Sequence, residues 1–166
     1  KLSNPHTLPN NAKYIGSLSR FKNIKKEKKY AFLAIISGPE PQRTLLEKQL
    51  ISSLKKRNEK ALIVLGKTEK NESIVDKNIT IKSHLRADEL NNAIAESELI
   101  ICRSGYSTIM DLIKMQKKAI FIPTPGQTEQ EYLAKILKEK KLCFYQNQNK
   151  FNLDEAIEKN KKYSGL

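Results

Sequence analysis

The sequence predicts an α/β fold, a Rossmann-like three-layer domain with a parallel sheet of about six strands covered by helices on both faces. Short apolar runs recur along the chain, and a stretch with apolar residues at helical spacing follows most of them. Strands that alternate with helices form right-handed crossovers, which place the strands in parallel in one sheet.

Six runs are typical of parallel strands buried on both faces, because they are almost continuously apolar. They are Tyr30–Ser37, Ala61–Gly66, Ile79–Lys82, Leu99–Cys102, Ala119–Ile122 and Leu142–Tyr145. Between them, apolar side chains recur at helical spacing in Leu45–Leu54, Leu90–Ile94, Ile109–Ile113 and Leu133–Leu137.

Residues 1–29 are rich in Pro, Asn and Lys and predict an extended linker with one short strand at Ala12–Ile15. We expect residues 30–166 to form the domain itself. The chain begins Lys-Leu-Ser-Asn-Pro, with neither an initiator Met nor a secretion leader, so we expect an excised fragment with further chain before it.

Charge and composition narrow the choice of partners. The 166 residues carry 31 Lys and Arg against 18 Asp and Glu, a net charge of +13, so an anionic partner is expected: nucleic acid, an acidic membrane face or a phosphorylated small molecule. No RNP pattern, zinc finger or helix-turn-helix occurs. The two cysteines, Cys102 and Cys143, lack metal-ligand spacing, which predicts reduced core thiols, no metal site and a reducing compartment.

Ligands of such a sheet bind beyond the carboxyl ends of the strands, so the loops there are the candidate sites. The first loop, Ser37–Gln42, contains Gly38, which permits a ligand to approach the backbone, and Pro41, which suits the first turn of a helix. As a motif it is weak, because most strand-to-helix turns contain Gly and Pro.

The second loop, Arg103–Thr108, predicts a seat for a diphosphate. Ser104 is placed to cap the following helix, and Gly105 lets a phosphate near the backbone N–H groups at the positive end of the helix dipole. Asp111 falls on the same helix face as Ser107, where its carboxylate could accept hydrogen bonds from the two hydroxyls of a ribose.

The third loop, Pro123–Glu131, predicts a capping box in which Thr128 and Glu131 fix the start of a helix. Glu129 and Gln130 then fall in the first turn. Carboxylate and amide groups there suit the hydroxyls of a sugar.

The run Ile101–Thr108, then Ala119–Pro125 and Glu129-Gln130, resembles the C-terminal, donor-binding domain of MurG-type glycosyltransferases, the GT-B enzymes of glycosyltransferase family 28. The resemblance begins near Tyr14-Ile15-Gly16 and extends to about Leu142. It implies one half of a GT-B fold, with the N-terminal acceptor domain absent from this fragment.

The resemblance also assigns roles to residues. It implies that Tyr106, Ser107 and Thr108 hold the diphosphate through backbone N–H groups, and that Ser104 and Gly105 set the turn. Asp111 would bind the ribose where the family usually has Glu.

Three further positions follow from the same resemblance. Glu129 and Gln130 match positions that bind the sugar hydroxyls, and Leu85 falls where relatives pair with uracil through the backbone. Arg103 takes a structural role. The family's Asn, three residues after the sugar-binding Gln, is Leu133 here, and the glycine-rich first loop is only loosely matched.

We therefore expect a domain that binds a UDP-sugar, carrying N-acetylglucosamine or another hexose, for transfer to a lipid-linked acceptor. The expected location is cytoplasmic, peripheral at the inner membrane face, with no cofactor and no nucleic-acid partner. No residue makes a convincing catalytic base, because His84, the histidine nearest a loop end, suits a structural role.

Three alternatives stay open. One is a stand-alone donor-binding subunit that needs a partner chain, like the soluble half of the two-part eukaryotic N-glycan transferase. The others are a basic nucleic-acid-binding domain and a sugar-nucleotide epimerase of the same architecture.

Overall fold

The computed structural model describes residues 10–13, 16 and 18–166. The strands are β1 (Tyr30–Ile35), β2 (Ala61–Val64), β3 (Ser73–Asp76), β4 (Ile79–Lys82), β5 (Ser97–Cys102), β6 (Lys118–Phe121) and β7 (Phe144–Tyr145). The helices are α1 (Gln42–Lys55), α2 (Ala87–Ala95), α3 (Tyr106–Lys114), α4 (Thr128–Glu139) and α5 (Leu153–Asn160), with a 3-10 turn at Gln148–Lys150.

The strands form one sheet in the order β3-β4-β2-β1-β5-β6-β7, and every neighbouring pair is parallel except β3 with β4. This confirms the α/β class and the six predicted strands, although five of the six differ from their predicted bounds by one or two residues at one or both ends. The prediction missed β3, which pairs Ile74 with Ile81 across a tight hairpin. Of the strand predicted at Ala12–Ile15, Tyr14 and Ile15 lie outside the described residues.

Alternation along the strands divides the core into two layers, because successive side chains point to opposite faces. Leu33, Leu62 and Ile100 pack on one face with α2, α3 and α4. On the other face, apolar side chains such as Ala34 and Ile63 pack against α1 and α5. The predicted three-layer arrangement is confirmed, and α5 is an element that the sequence analysis did not anticipate.

The segment before β1 packs against the domain. Phe21 is only 4% exposed and belongs to the first core layer. Next to it, the Lys22 N–H donates to Oδ1 of Asn91 at 2.7 Å, and Nδ2 of Asn91 donates back to the Lys22 carbonyl at 3.0 Å. The packing thus extends before residue 30, into the stretch predicted as a linker.

No helix within the described part of the chain is long and apolar enough to cross a membrane.

Candidate functional site

Helix α3 begins at the carboxyl end of β5 with unbonded backbone donors. Gly105 is its N-cap, with extended backbone (φ −70°), and the Ile109 N–H donates to the Gly105 carbonyl at 3.0 Å. Within the part of the chain that the structure describes, the N–H groups of Tyr106, Ser107 and Thr108 therefore have no partner. These donors and the helix dipole favour an anion at this point.

A cleft of about 510 Å³ opens beside this helix end, and Ser107, Thr108 and Asp111 line it. The segment before β1 supplies its other wall. Ser19 Oγ donates to Oδ1 of Asp111 at 2.6 Å, and Nε of the exposed Arg20 lies 3.9 Å from Oδ2 of Asp111. The structure thus places three of the second-loop residues that the sequence predicted, Ser107, Thr108 and Asp111, along one cleft.

Ser19 and Arg20 are site residues that sequence reasoning missed. They lie in a stretch without regular periodicity, and Ser19 reaches a residue 92 positions later in the chain. No local sequence pattern predicts a contact between residues so far apart in the chain. Only the resemblance that begins near Tyr14-Ile15-Gly16 places this stretch next to the domain.

The predicted cap of α3 by Ser104 is wrong. The N-cap residue is Gly105, no side chain in the described part of the chain is seen to cap the helix, and Ser104 is fully buried with its Oγ donating to the Gln130 carbonyl at 2.8 Å. The Ser104 hydroxyl thus joins the second loop to the third loop and does not cap α3.

The predicted capping box of the third loop is also wrong. Gln127 is the N-cap of α4 and makes no side-chain cap. Instead, Glu131 Oε1 accepts from the Gly126 N–H at 3.2 Å, and Gln130 Oε1 accepts from the Thr124 N–H at 2.9 Å. Both side chains point back and hold the loop before the helix.

These bonds constrain how Gln130 could bind a sugar. Its Nε2 also donates to Oε1 of Gln127, so one acceptor position and one amide hydrogen remain for a ligand. Glu129 is exposed in the first turn of α4, as predicted.

Arg103, in the second loop, bonds to the first and third loops. The side chain is buried, and Nη1 donates to the carbonyls of Ile122 (2.9 Å) and Pro123 (3.1 Å). Nη2 donates to the Gln42 carbonyl at 3.1 Å and to Oε1 of Gln148 at 2.6 Å. Burial lowers the pKa of Arg103 to about 10. These contacts fit the structural role predicted for Arg103.

The first loop offers less to an anion than the second. Pro41 is the N-cap of α1 instead of its first residue, and Glu40 Oε2 already accepts from the Thr44 N–H at 3.1 Å. Hydrogen bonds from Thr44 and Arg43 lower the pKa of Glu40. Gly38 has φ +107°, and a Cβ there would lie 3.3 Å from Oγ1 of Thr124, so this loop packs closely on the third.

Leu85 does not line the cleft beside the start of α3. It lines a separate cleft of about 310 Å³ after β4, together with His84 and Glu89. Its backbone N–H and carbonyl bond to no other described residue, which leaves both free for a planar base. His84 Nδ1 lies 2.7 Å from the Lys70 carbonyl, a contact that holds the loop.

Among the described residues, no group of three or more His, Cys, Asp or Glu side chains could hold a metal ion.

The family profile decides the classification. The profile of the glycosyltransferase family 28 C-terminal domain matches residues 32–164. The chain belongs to this family. The match confirms the resemblance read from the second and third loops, and it does not favour a nucleic-acid-binding domain.

Curated proteins are similar to part of the chain. A protein of Rickettsia felis named UDP-N-acetylglucosamine--N-acetylmuramyl-(pentapeptide) pyrophosphoryl-undecaprenol N-acetylglucosamine transferase is 39% identical over 66 residues, 39% of this chain and 18% of the relative. The Campylobacter jejuni protein of the same name is 38% identical over 68 residues, 40% of this chain and 20% of the relative. The matched stretch thus spans about a fifth of each relative.

Solved structures of other proteins share the fold of this chain. Acinetobacter baumannii MurG aligns with a TM-score of 0.65 and 19% identity, over 96% of this chain and 51% of MurG. The glycosyltransferase SnogD from Streptomyces nogalater aligns with a TM-score of 0.58 and 13% identity, over 81% of this chain and 35% of SnogD. The chain spans about half the length of MurG.

Proposed function

We propose that this chain is the donor-binding domain of a glycosyltransferase, which moves a sugar from a UDP-sugar to a lipid-linked acceptor. The observation that carries the proposal is the cleft where the unbonded start of α3 and the Asp111 carboxylate lie side by side. Family membership and the names of the curated relatives support the choice of UDP and of a lipid-linked acceptor.

The start of α3 would bind the diphosphate. The N–H groups of Tyr106, Ser107 and Thr108 would donate to its oxygens, and Gly105 leaves room for their approach, since nothing lies within 4 Å of a Cβ built there. Oriented N–H groups and a helix dipole also stabilise the negative charge that develops on a leaving diphosphate.

Asp111 would bind the ribose. A carboxylate offers about four acceptor positions, and Ser19 occupies one of them. The contact with Ser19 fixes the orientation of the carboxylate and leaves acceptor positions for two vicinal hydroxyls. Leu85 would pair with the base through its free backbone groups.

Glu129 and Gln130 would bind the sugar, which we assign to the N-acetylglucosamine or other hexose class. Glu129 is exposed and available, whereas Gln130 contributes its remaining donor and acceptor positions. Residues 30–166, with the packed segment before them, would form the donor domain. The acceptor and the catalytic base would come from another domain or a partner chain, at the inner face of the membrane.

Calorimetric titration with UDP, UDP-N-acetylglucosamine, UDP-glucose, GDP, dTDP and ADP tests the proposal. We expect saturable binding of the uridine series. Asp111→Asn should weaken it by about tenfold or more, because hydrogen bonds to a charged acceptor are worth roughly 1.5–3 kcal/mol.

Asp154→Asn is the matched control, because Asp154 is an exposed helical aspartate at the other end of the sheet, paired with Arg57. The control should bind as the wild type does. Equal losses in both variants, or no preference for uridine nucleotides, would refute the proposal.

A further inference from the structure

A second cleft of about 800 Å³ opens at the amino ends of β1, β2 and β4, at the end of the sheet opposite the donor cleft. Lys28, Lys29, Lys60 and Lys77 line it. Of the described residues that line it, Glu27 alone is acidic. The cleft therefore carries an excess of positive charge at the end of the sheet away from the donor cleft.

Two of these ammonium groups are uncommitted. Lys29 pairs with Glu96 at 2.9 Å, and Lys28 Nζ donates to the Ala95 carbonyl at 2.6 Å. The side chains of the exposed Lys60 and Lys77 form no ion pair with any residue that the structure describes. Their charge is available to a ligand.

Exposed aliphatic side chains adjoin the lysines. Val75 lines the same cleft and is 73% exposed, and Ile74, on the other face of β3, is 56% exposed. Water solvates lysine well but not branched aliphatic side chains. Cations beside exposed aliphatics match a membrane surface, which offers anionic headgroups above an apolar layer.

Lys77 occupies the hairpin turn between β3 and β4 with φ +55°. Asn and Gly adopt this left-handed conformation more readily than Lys. The turn therefore presents a cation where a residue with less backbone strain would carry none.

We propose that this cleft and the β3–β4 hairpin dock on the surface of an anionic phospholipid bilayer, with Lys60 and Lys77 binding headgroup phosphates and Val75 entering the apolar layer. Single-stranded nucleic acid fits less well, because its sites stack bases on exposed aromatic faces. The aromatic residue that lines this cleft, Tyr30, is half-buried, and the exposed apolar groups are aliphatic. The inference rests on the proposed function only through the lipid-linked acceptor, and docking here leaves the donor cleft open.

Sedimentation of the chain with vesicles of phosphatidylcholine, with and without phosphatidylglycerol, tests the docking. We expect binding only to the anionic vesicles, and a decline in binding as salt screens the charges. The double variant Lys60→Gln/Lys77→Asn should lower the partition coefficient by about 25-fold, roughly fivefold for each lysine. Asn suits φ +55°, so this change should not disturb the turn. Val75→Ser should lower it severalfold without any change of charge.

Lys48→Gln/Lys162→Gln is the matched control, because it removes the same charge from two exposed lysines outside the cleft. The control should bind within about threefold of the wild type, since charges beyond a Debye length contribute little. Equal losses in the two double variants, or equal binding to neutral vesicles, would overturn the docking surface. Tight binding to single-stranded RNA with none to vesicles would overturn it in favour of a nucleic acid.

The same variants are titrated with UDP-N-acetylglucosamine. They should bind it as the wild type does, because the two clefts lie at opposite ends of the sheet. Loss of vesicle binding with normal nucleotide binding assigns the effect to the docking surface, and failure of nucleotide binding in the wild type would refute the donor site alone.

Discussion

The Arg103 guanidinium donates a 2.6 Å hydrogen bond to Oε1 of Gln148, across 45 residues of sequence, in a buried position. Arg103 forms no ion pair with any described residue. Its charge is dispersed over the carbonyl dipoles of Ile122, Pro123 and Gln42. One side chain thereby holds the third loop, the start of α1 and the 3-10 turn at fixed distances.

Replacing Arg103 by Met should destabilise the domain by about 3 kcal/mol or more, because several buried acceptors lose their donor at once. Urea unfolding measures the change. Arg86→Met is the control, since Arg86 is exposed, and should alter the free energy of unfolding by no more than about 0.5 kcal/mol. Equal unfolding midpoints for the two variants would contradict the role assigned to Arg103.

Two glycines should respond differently to Ala. A Cβ on Gly66 would lie 2.6 Å from the Ile36 carbonyl oxygen, at φ +67°, so Gly66→Ala should cost about 2 kcal/mol or more. Gly105 has negative φ and open space, so Gly105→Ala should change stability by only about 0.5 kcal/mol. It should still weaken UDP binding, because the added methyl keeps phosphate away from the start of α3. Urea unfolding and calorimetry separate the two effects. Normal UDP affinity in Gly105→Ala would argue against a diphosphate there.

Phe21→Ala should destabilise the domain by roughly 3–5 kcal/mol, the usual cost of removing a buried aromatic ring. Leu18→Ala, three residues earlier at a 76% exposed position, should have almost no effect on thermal or urea unfolding. A small loss in Phe21→Ala would mean that the segment before β1 contributes little to the fold.

Lys117 should make stability depend on pH. Its Nζ donates to the carbonyls of Ala95 and Ser97, which Lys28 Nζ also contacts. Burial, then the neighbouring Lys28, lowers the pKa of Lys117 to about 7 from 10.5. Above about pH 7 the folded chain loses this proton while the unfolded chain keeps it, so the free energy of unfolding should rise with pH.

Urea unfolding between about pH 7 and pH 8.5 measures this slope. For Lys117→Met, the free energy of unfolding should depend less on pH than in the wild type, and it should be higher at the lower pH. The range stops there because burial raises the pKa of Cys143 from 9.0 to about 12, and folded-state thiols that keep their protons lower stability at higher pH. Identical slopes in the two proteins would show that Lys117 is charged throughout.

Cys102 and Cys143 should not react with a thiol reagent in the folded protein at neutral pH. Both are free and buried, and burial raises the pKa of each thiol. Only the thiolate reacts, so labelling should proceed at the rate of unfolding and accelerate in urea. Rapid labelling of either thiol in the native protein would contradict its buried position.

The six parallel strands could be predicted because a strand buried on both faces is apolar at almost every position, as in Ala61–Val64. β3 could not, because only two of its four residues are apolar, and its pairing depends on β4. Helix α5 has the apolar spacing of Leu153, Ala156 and Ile157, a signal that was present but falls after the last predicted strand.

The sequence likewise predicts one part of the candidate site and not the rest. The unbonded start of α3 follows from a strand, a glycine and a helix in order, so the sequence predicts it. The directions of the Ser104 and Gln130 side chains cannot be predicted in this way. Ser104 bonds to a residue 26 positions later in the chain, and Gln130 turns back to bond with Thr124 before its own helix. The contact between Ser19 and Asp111 depends on how the segment before β1 is anchored at Phe21, which is a property of the packed core.

The sheet is bounded by two short outer strands, β3 with four residues and β7 with two. An outer strand presents unpaired backbone groups, and long flat ones recruit further strands from other molecules into aggregates. Here the exposed ladder on either side is only a few residues long, and Lys55 pairs with Asp76 at the end of β3. Such edges offer little template for edge-to-edge growth, so the domain should resist β-sheet aggregation even when it is highly concentrated.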